Sequence, residues 1–116
     1  MKRLAVCIAL CLAVAGATFD AIAAEGDDKQ VISVEFKGGK VISGPQVVKL
    51  KRDDEVTLNV LSDRADELHL HGYDLHLTLQ PNQTATLKFV ARRTGRFSFE
   101  LHKDGVELGV LEIYPK

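Results

Sequence analysis

The sequence predicts an all-β domain, an antiparallel sandwich or barrel of about seven strands, and two observations support this prediction. Apolar and polar residues alternate in seven short runs with the two-residue period of a half-buried strand, and β-branched and aromatic residues fill these runs. Turn-forming residues separate the runs at intervals of roughly 8–12 residues, and no long run has the period of a helix. The runs are 31–36, 47–51, 56–60, 68–79, 85–89, 97–101 and 110–114.

Turn signals delimit the first three runs. Gly38-Gly39 follows the first run, and Gly44-Pro45 precedes the second. The polar segment 52–54, Arg-Asp-Asp, lies between the second run and the third. Glycine, proline and aspartate each favour turns for a different steric or hydrogen-bonding reason, so we expect the chain to reverse at each of these points.

The later runs are bounded in the same way. The fourth run, 68–79, is longer than the others, and its alternation is interrupted at Gly72. Pro81-Asn82 marks a turn before the fifth run, and Gly95 opens the sixth. The seventh run ends close to the C-terminus. The pattern indicates one domain without an internal repeat.

The N-terminus has the three parts of a secretory signal peptide. Lys2 and Arg3 provide a positive start, residues 4–15 form an apolar run, and residues 21–23 are a small-x-small cleavage pattern. The apolar run is shorter than the roughly 20 residues that a transmembrane helix needs. We therefore predict a signal peptide over 1–23 and a periplasmic or secreted mature protein with no membrane span.

The mature chain is predicted to comprise a flexible lead, 24–30, and one domain, 31–116. Cys7 and Cys11, the two cysteines of the sequence, both lie in the predicted signal peptide, so no thiolate ligand or disulfide is expected afterwards. Without residues 1–23 the 15 basic residues become 13 and the 16 acidic residues become 15. This balance gives no reason to expect a nucleic-acid partner.

From about residue 47 onward, the order of motifs resembles a cupredoxin. The segment 53–57, Asp-Asp-Glu-Val-Thr, is followed by a His-bearing strand at 66–69, Asp-Glu-Leu-His. Residues 79–84, Leu-Gln-Pro-Asn-Gln-Thr, are placed like the family's x-P-G-x-T turn, and 95–99, Gly-Arg-Phe-Ser-Phe, is similar to its G-T-Y-x-F strand. The resemblance implies a cupredoxin-like Greek-key β-sandwich or barrel over about two thirds of the chain.

The resemblance does not extend to the ligands of blue copper. Such a site needs a Cys thiolate, two His and usually an axial Met. The family's positions for Cys, the second His and Met correspond here to Leu101, Asp104 and Glu107. The first His alone has a counterpart, in His69 or His71. Electron transfer through a copper–thiolate bond is therefore not expected.

The histidines suggest a different metal site. His69, His71 and His76 lie close together in the sequence, and the resemblance implies that His102 approaches them. A His-x-His pair on a strand places both rings on one face, about 7 Å apart. We predict a site formed by His69, His71 and His102 with Glu100 as a fourth ligand, and rank His76 as the weakest candidate. Such ligands favour copper, with zinc as the alternative.

Another interpretation of the histidines depends on which face of the fourth run points toward the core. If Leu68 and Leu70 face the core, then His69 and His71 face solvent and need not bind a metal. Asp74 would then serve only to orient a turn.

These features favour a binding function over catalysis. The preferred hypothesis is a periplasmic metal-binding domain, with a protein of a metal-handling or respiratory system as its partner. The alternative is a degenerate cupredoxin fold that acts as a metal-free protein-interaction module, presenting a sheet edge or the arginine-rich segment 92–96. A domain that donates metal to an oxidase is a third hypothesis.

Overall fold

The computed structural model describes residues 28–116, and all regular structure within this range is β-strand. The predicted signal peptide, 1–23, and most of the predicted lead, 24–30, lie outside the described residues. The first strand begins two residues before the predicted domain boundary at residue 31. The strands are β1 (Lys29–Lys37), β2 (Lys40–Ser43), β3 (Val47–Lys51), β4 (Glu55–Ser62), β5 (Asp66–Leu70), β6 (Leu75–Leu79), β7 (Thr84–Val90), β8 (Gly95–Leu101) and β9 (Glu107–Tyr114).

The strands form two sheets, which confirms the predicted β-sandwich. One sheet has the order β2-β1-β4-β7, and the other has the order β3-β9-β8-β5-β6. Most neighbours are antiparallel, but β1 pairs with β4 and β3 pairs with β9 in parallel. These parallel pairs arise because the chain crosses to the second sheet at β3 and then returns to the first sheet beside β1.

The described part of the chain has nine strands rather than about seven, for two reasons. The four-residue β2 is almost entirely exposed, so its sequence has no clear apolar alternation. The predicted run 68–79 is a hairpin, β5–β6, whose turn spans 71–74. Gly72 in this turn has φ +81° and Asp74 has φ +52°, so the backbone there leaves the extended region that a single strand requires.

The core between the sheets settles which way the fourth run faces. Leu68 and Leu70 are fully buried, as is Phe99 on the neighbouring β8. Since successive side chains of a strand point to opposite faces, His69 lies on the outer face of the five-stranded sheet. The histidines therefore belong to a partly exposed surface and not to the core.

Among residues 28–116 there is no helix that is both long enough and apolar enough to cross a membrane.

Candidate metal centre

A row of polar residues crosses the outer face of the five-stranded sheet. His69 on β5 pairs with His76 on β6 and, on its other side, with Glu100 on β8. Glu100 in turn pairs with Glu107 on β9. Residues directly opposite each other on neighbouring strands share a face, so the sheet itself brings the two imidazoles together.

The two imidazoles of this row converge on one carboxylate. The Nε2 atoms of His69 and His76 lie 3.9 Å and 3.6 Å from Oδ1 of Asp74. Within residues 28–116, His69, Asp74 and His76 are the group whose potential ligand atoms all lie within 4.8 Å of one another. The His69 and His76 rings are stacked, with centroids 4.4 Å apart and planes 4° from parallel. Two nitrogens and one oxygen thus face a common space.

The hairpin turn that carries Asp74 is anchored by its neighbours. The Tyr73 hydroxyl donates to the carbonyl of Arg93 and accepts from the Arg93 amide, both at 3.0 Å. The Arg93 guanidinium donates to the carbonyl of Gly72 at 2.8 Å. The Tyr73 ring packs edge-on against Phe97, with centroids 5.0 Å apart. The backbone of the turn is held, while the Asp74 side chain is 95 % exposed and can rotate.

His71 and Glu100 form a second imidazole–carboxylate pair beside this group. Nε2 of His71 lies 2.5 Å from Oε1 of Glu100. The His71 ring centroid is 4.3 Å from that of His69. Both predicted residues are therefore next to the cluster, but the Glu100 carboxylate is bound to a ring nitrogen of His71 and does not join the group of three.

His102 lies in an exposed turn, one residue past the end of β8 at Leu101. The His102 amide donates to the carbonyl of Glu67 at 2.8 Å. His102 therefore lies beside the His69–Glu100 pair, on the side opposite the hairpin turn. The structure brings three of the four predicted residues together and groups His69 with Asp74 and His76 instead of His102. The predicted four-ligand set stays a prediction.

From the sequence alone, His76 is the weakest ligand candidate and Asp74 has only a turn-forming role. One signal in the sequence points to both residues. A hairpin whose turn is centred on Gly72 and Tyr73 pairs residues at equal distances before and after the turn. Leu70 and Leu75 are such a pair, and their residue numbers add up to 145. That relation pairs His69 with His76 and leaves Asp74 at the end of the turn.

The positions that hold blue-copper ligands in cupredoxins have structural roles here. Leu101 is fully buried in the core. Asp104 accepts a hydrogen bond from Nη2 of Arg64 at 2.8 Å, and this bond is the main cause of a raised pKa of the Arg64 guanidinium. Glu107 is exposed at the start of β9. The described residues contain no cysteine or methionine that could replace them.

We expect Asp66→Ala to lower the free energy of unfolding by about 1–3 kcal/mol, because it removes a buried acceptor. The Asp66 carboxylate is inaccessible to solvent and accepts from the amides of Glu67 and Lys103 and from Nε of Arg64. It thereby ties the start of β5 to the loop after β8. Urea denaturation measures the effect.

Asp104→Ala is the matched control for this variant. Asp104 binds the same arginine but its side chain is 45 % exposed, so its removal should cost less than about 1 kcal/mol. Equal losses for the two variants would show that burial of Asp66 does not determine its contribution.

Comparisons with known proteins agree with this fold. No family model matches the sequence, and no curated protein sequence matches it significantly. Among solved structures, the apo form of a copper-binding protein, determined by NMR, matches with a TM-score of 0.62 and 18 % identity, over 75 % of this chain and 89 % of that one. A heme-copper terminal oxidase structure matches with a TM-score of 0.62 and 14 % identity, over 75 % of this chain and 65 % of that one.

A third solved structure, the blue copper oxidase from Nitrosomonas europaea, matches with a TM-score of 0.56 and 20 % identity, over 76 % of this chain and 39 % of that one. The chain therefore spans less than two thirds of either oxidase chain. At such identities, similarity in structure establishes the fold and leaves the chemistry to the residues. Two β-sheets of this topology together with these matches show that the chain shares the β-sandwich fold of these solved structures.

Proposed function

We propose that this protein is a metal-binding domain that holds Cu(II) on the outer face of its five-stranded sheet through His69, His76 and Asp74. The observation that carries the proposal is the convergence of two imidazole Nε2 atoms on one carboxylate oxygen, at 3.9 Å and 3.6 Å. Imidazole and carboxylate donors suit divalent copper and zinc, and with the same ligands copper binds more tightly than zinc.

The three side chains fit such an ion once they move toward one another. Metal–ligand distances of about 2.0–2.2 Å place the ligand atoms of a tetrahedral site about 3.3–3.6 Å apart. Atoms that now lie up to 4.8 Å apart must therefore approach by as much as roughly 1.3 Å. The exposed Asp74 carboxylate can supply this movement by a change of rotamer, and a tilt of the stacked rings can supply the rest. Because the imidazoles lie on a partly exposed face, the remaining coordination positions are accessible to water or to a partner.

The sequence and the structural neighbours support a proposal for the setting of the domain. We place the mature protein in the periplasm or outside the cell, because residues 1–23 have the pattern of a signal peptide. A binding role without catalysis, next to a metal-handling or respiratory partner, is supported by the similarity to a copper-binding protein and to a domain of a heme-copper oxidase structure.

Titration of the purified protein, expressed from the full-length chain, tests the proposal. Calorimetry with Cu(II) and with Zn(II) should show one equivalent bound at micromolar affinity or tighter, with copper the tighter of the two. The optical spectrum should lack an intense copper–thiolate band. Absence of stoichiometric binding would contradict the proposal and favour the metal-free interaction module.

A further inference from the structure

One nitrogen of the His76 ring is already engaged, on the side away from Asp74. Nδ1 of His76 lies 2.9 Å from Oε1 of Glu67, a neighbour of His69 on β5. An ionised carboxylate only accepts hydrogen bonds, so in this contact Nδ1 carries the hydrogen. In the neutral ring, which is the form that binds a metal, Nε2 of His76 then has the free electron pair, and this atom is the one that lies 3.6 Å from the Asp74 carboxylate.

We propose that Glu67 is a positioning residue for the metal site, since it selects the tautomer of His76 and fixes the orientation of its ring. This inference rests on the proposed function. Histidine ligands commonly donate their second ring N–H to a carboxylate, and loss of that partner typically weakens metal binding 10–100-fold. Glu67 is not a ligand itself, because its contact is with the opposite nitrogen of the ring.

Glu100 provides an internal contrast on the same face of the sheet. Its Oε1 is 2.5 Å from Nε2 of His71, so this carboxylate engages an Nε2 and not an Nδ1. The two glutamates therefore act on different nitrogens of two neighbouring rings. Glu67 leaves the His76 Nε2 free, whereas Glu100 keeps the His71 Nε2 occupied. His71 is also absent from the group of ligand atoms that lie within 4.8 Å of one another, which supports His69 and His76 as the imidazole ligands.

The test compares the wild-type protein with Glu67→Gln and Glu100→Gln. Long-range ¹H–¹⁵N NMR spectra of the metal-free proteins report which nitrogen of His76 carries the hydrogen, and calorimetry gives the Cu(II) and Zn(II) affinities. An amide can both donate and accept, so glutamine at position 67 no longer selects one tautomer. Both glutamates are partly exposed, with side chains 47 % and 33 % accessible, so neither substitution should unfold the domain.

We expect the Nδ1–H tautomer of His76 in the wild type and a mixture in Glu67→Gln, with metal affinity lowered 10–100-fold. Glu100→Gln should keep the tautomer of His76 and bind metal within about threefold of the wild type. Unchanged affinity in Glu67→Gln, or an equal loss in Glu100→Gln, would overturn the role of Glu67 while the proposed function stands. A wild type that binds no metal would overturn both.

Discussion

Replacing His76 with alanine is expected to weaken Cu(II) binding by at least about 100-fold, which corresponds to about 2.7 kcal/mol. The reason is geometric. His76 supplies one of the two imidazole nitrogens that face Asp74, and its ring stacks directly on that of His69. Loss of a ligand should cost at least as much as loss of a residue that merely orients one, for which 10–100-fold is typical. Calorimetric titration of the purified variant measures the change.

His102→Ala is the control for this variant. His102 is exposed in the turn after β8 and is not part of the group formed by His69, Asp74 and His76, so its removal should change the affinity by less than about threefold. Circular dichroism should show both variants folded, since the His76 side chain is 48 % exposed. A larger loss in His102→Ala than in His76→Ala would restore the set predicted from sequence, His69, His71, His102 and Glu100.

Gly72→Ala is expected to lower the free energy of unfolding by about 2–4 kcal/mol, since two costs add at this position. A Cβ at residue 72 would lie 2.3 Å from Cδ1 of Phe97, and the residue has φ +81°. Phe97 packs against Tyr73, so the clash would move the turn that carries Asp74. We therefore expect metal affinity to fall as well. Urea denaturation and calorimetry measure the two effects.

Gly38→Ala separates the two costs of the Gly72 substitution. Gly38 has φ +63°, but a Cβ there would meet no atom within 4 Å. The Gly38→Ala variant should lose only about 1–2 kcal/mol of its free energy of unfolding, the cost of a side chain at positive φ. Its metal affinity should stay unchanged. If the two alanine variants are equally stable, the contact between residue 72 and Phe97 does not constrain the turn.

Much of the fold could be predicted from the sequence because strand alternation is a local property. Leu68, Leu70 and Phe99 fill the core as their two-residue periods indicated. The short β2 was not predicted, because a strand with little burial has no alternating pattern of apolar residues. The parallel pairing of β1 with β4 depends on how the chain crosses between sheets, and residues that are distant in sequence decide it.

The site was only partly predictable, because its composition depends on where strands end. His69, His71 and Glu100 were expected near one another, and the register of β5 with β8 places them so. His102 lies past the end of β8 at Leu101, so it is not part of the row that the register of β5 with β8 brings together. His76 and Asp74 enter the cluster through the hairpin turn, and their places follow only once the turn is centred on Gly72 and Tyr73.

The position of bound Cu(II) distinguishes a site on the β5–β6 hairpin from one in the loop after β8. Paramagnetic Cu(II), added below one equivalent, broadens the ¹H–¹⁵N NMR signals of the residues nearest to it. Broadening should be strongest in the β5–β6 hairpin, at residues 69 and 72–76, and weaker in the loop after β8. Broadening centred on residues 101–107, where the sequence resemblance places three of the four blue-copper ligands, would contradict the proposed site.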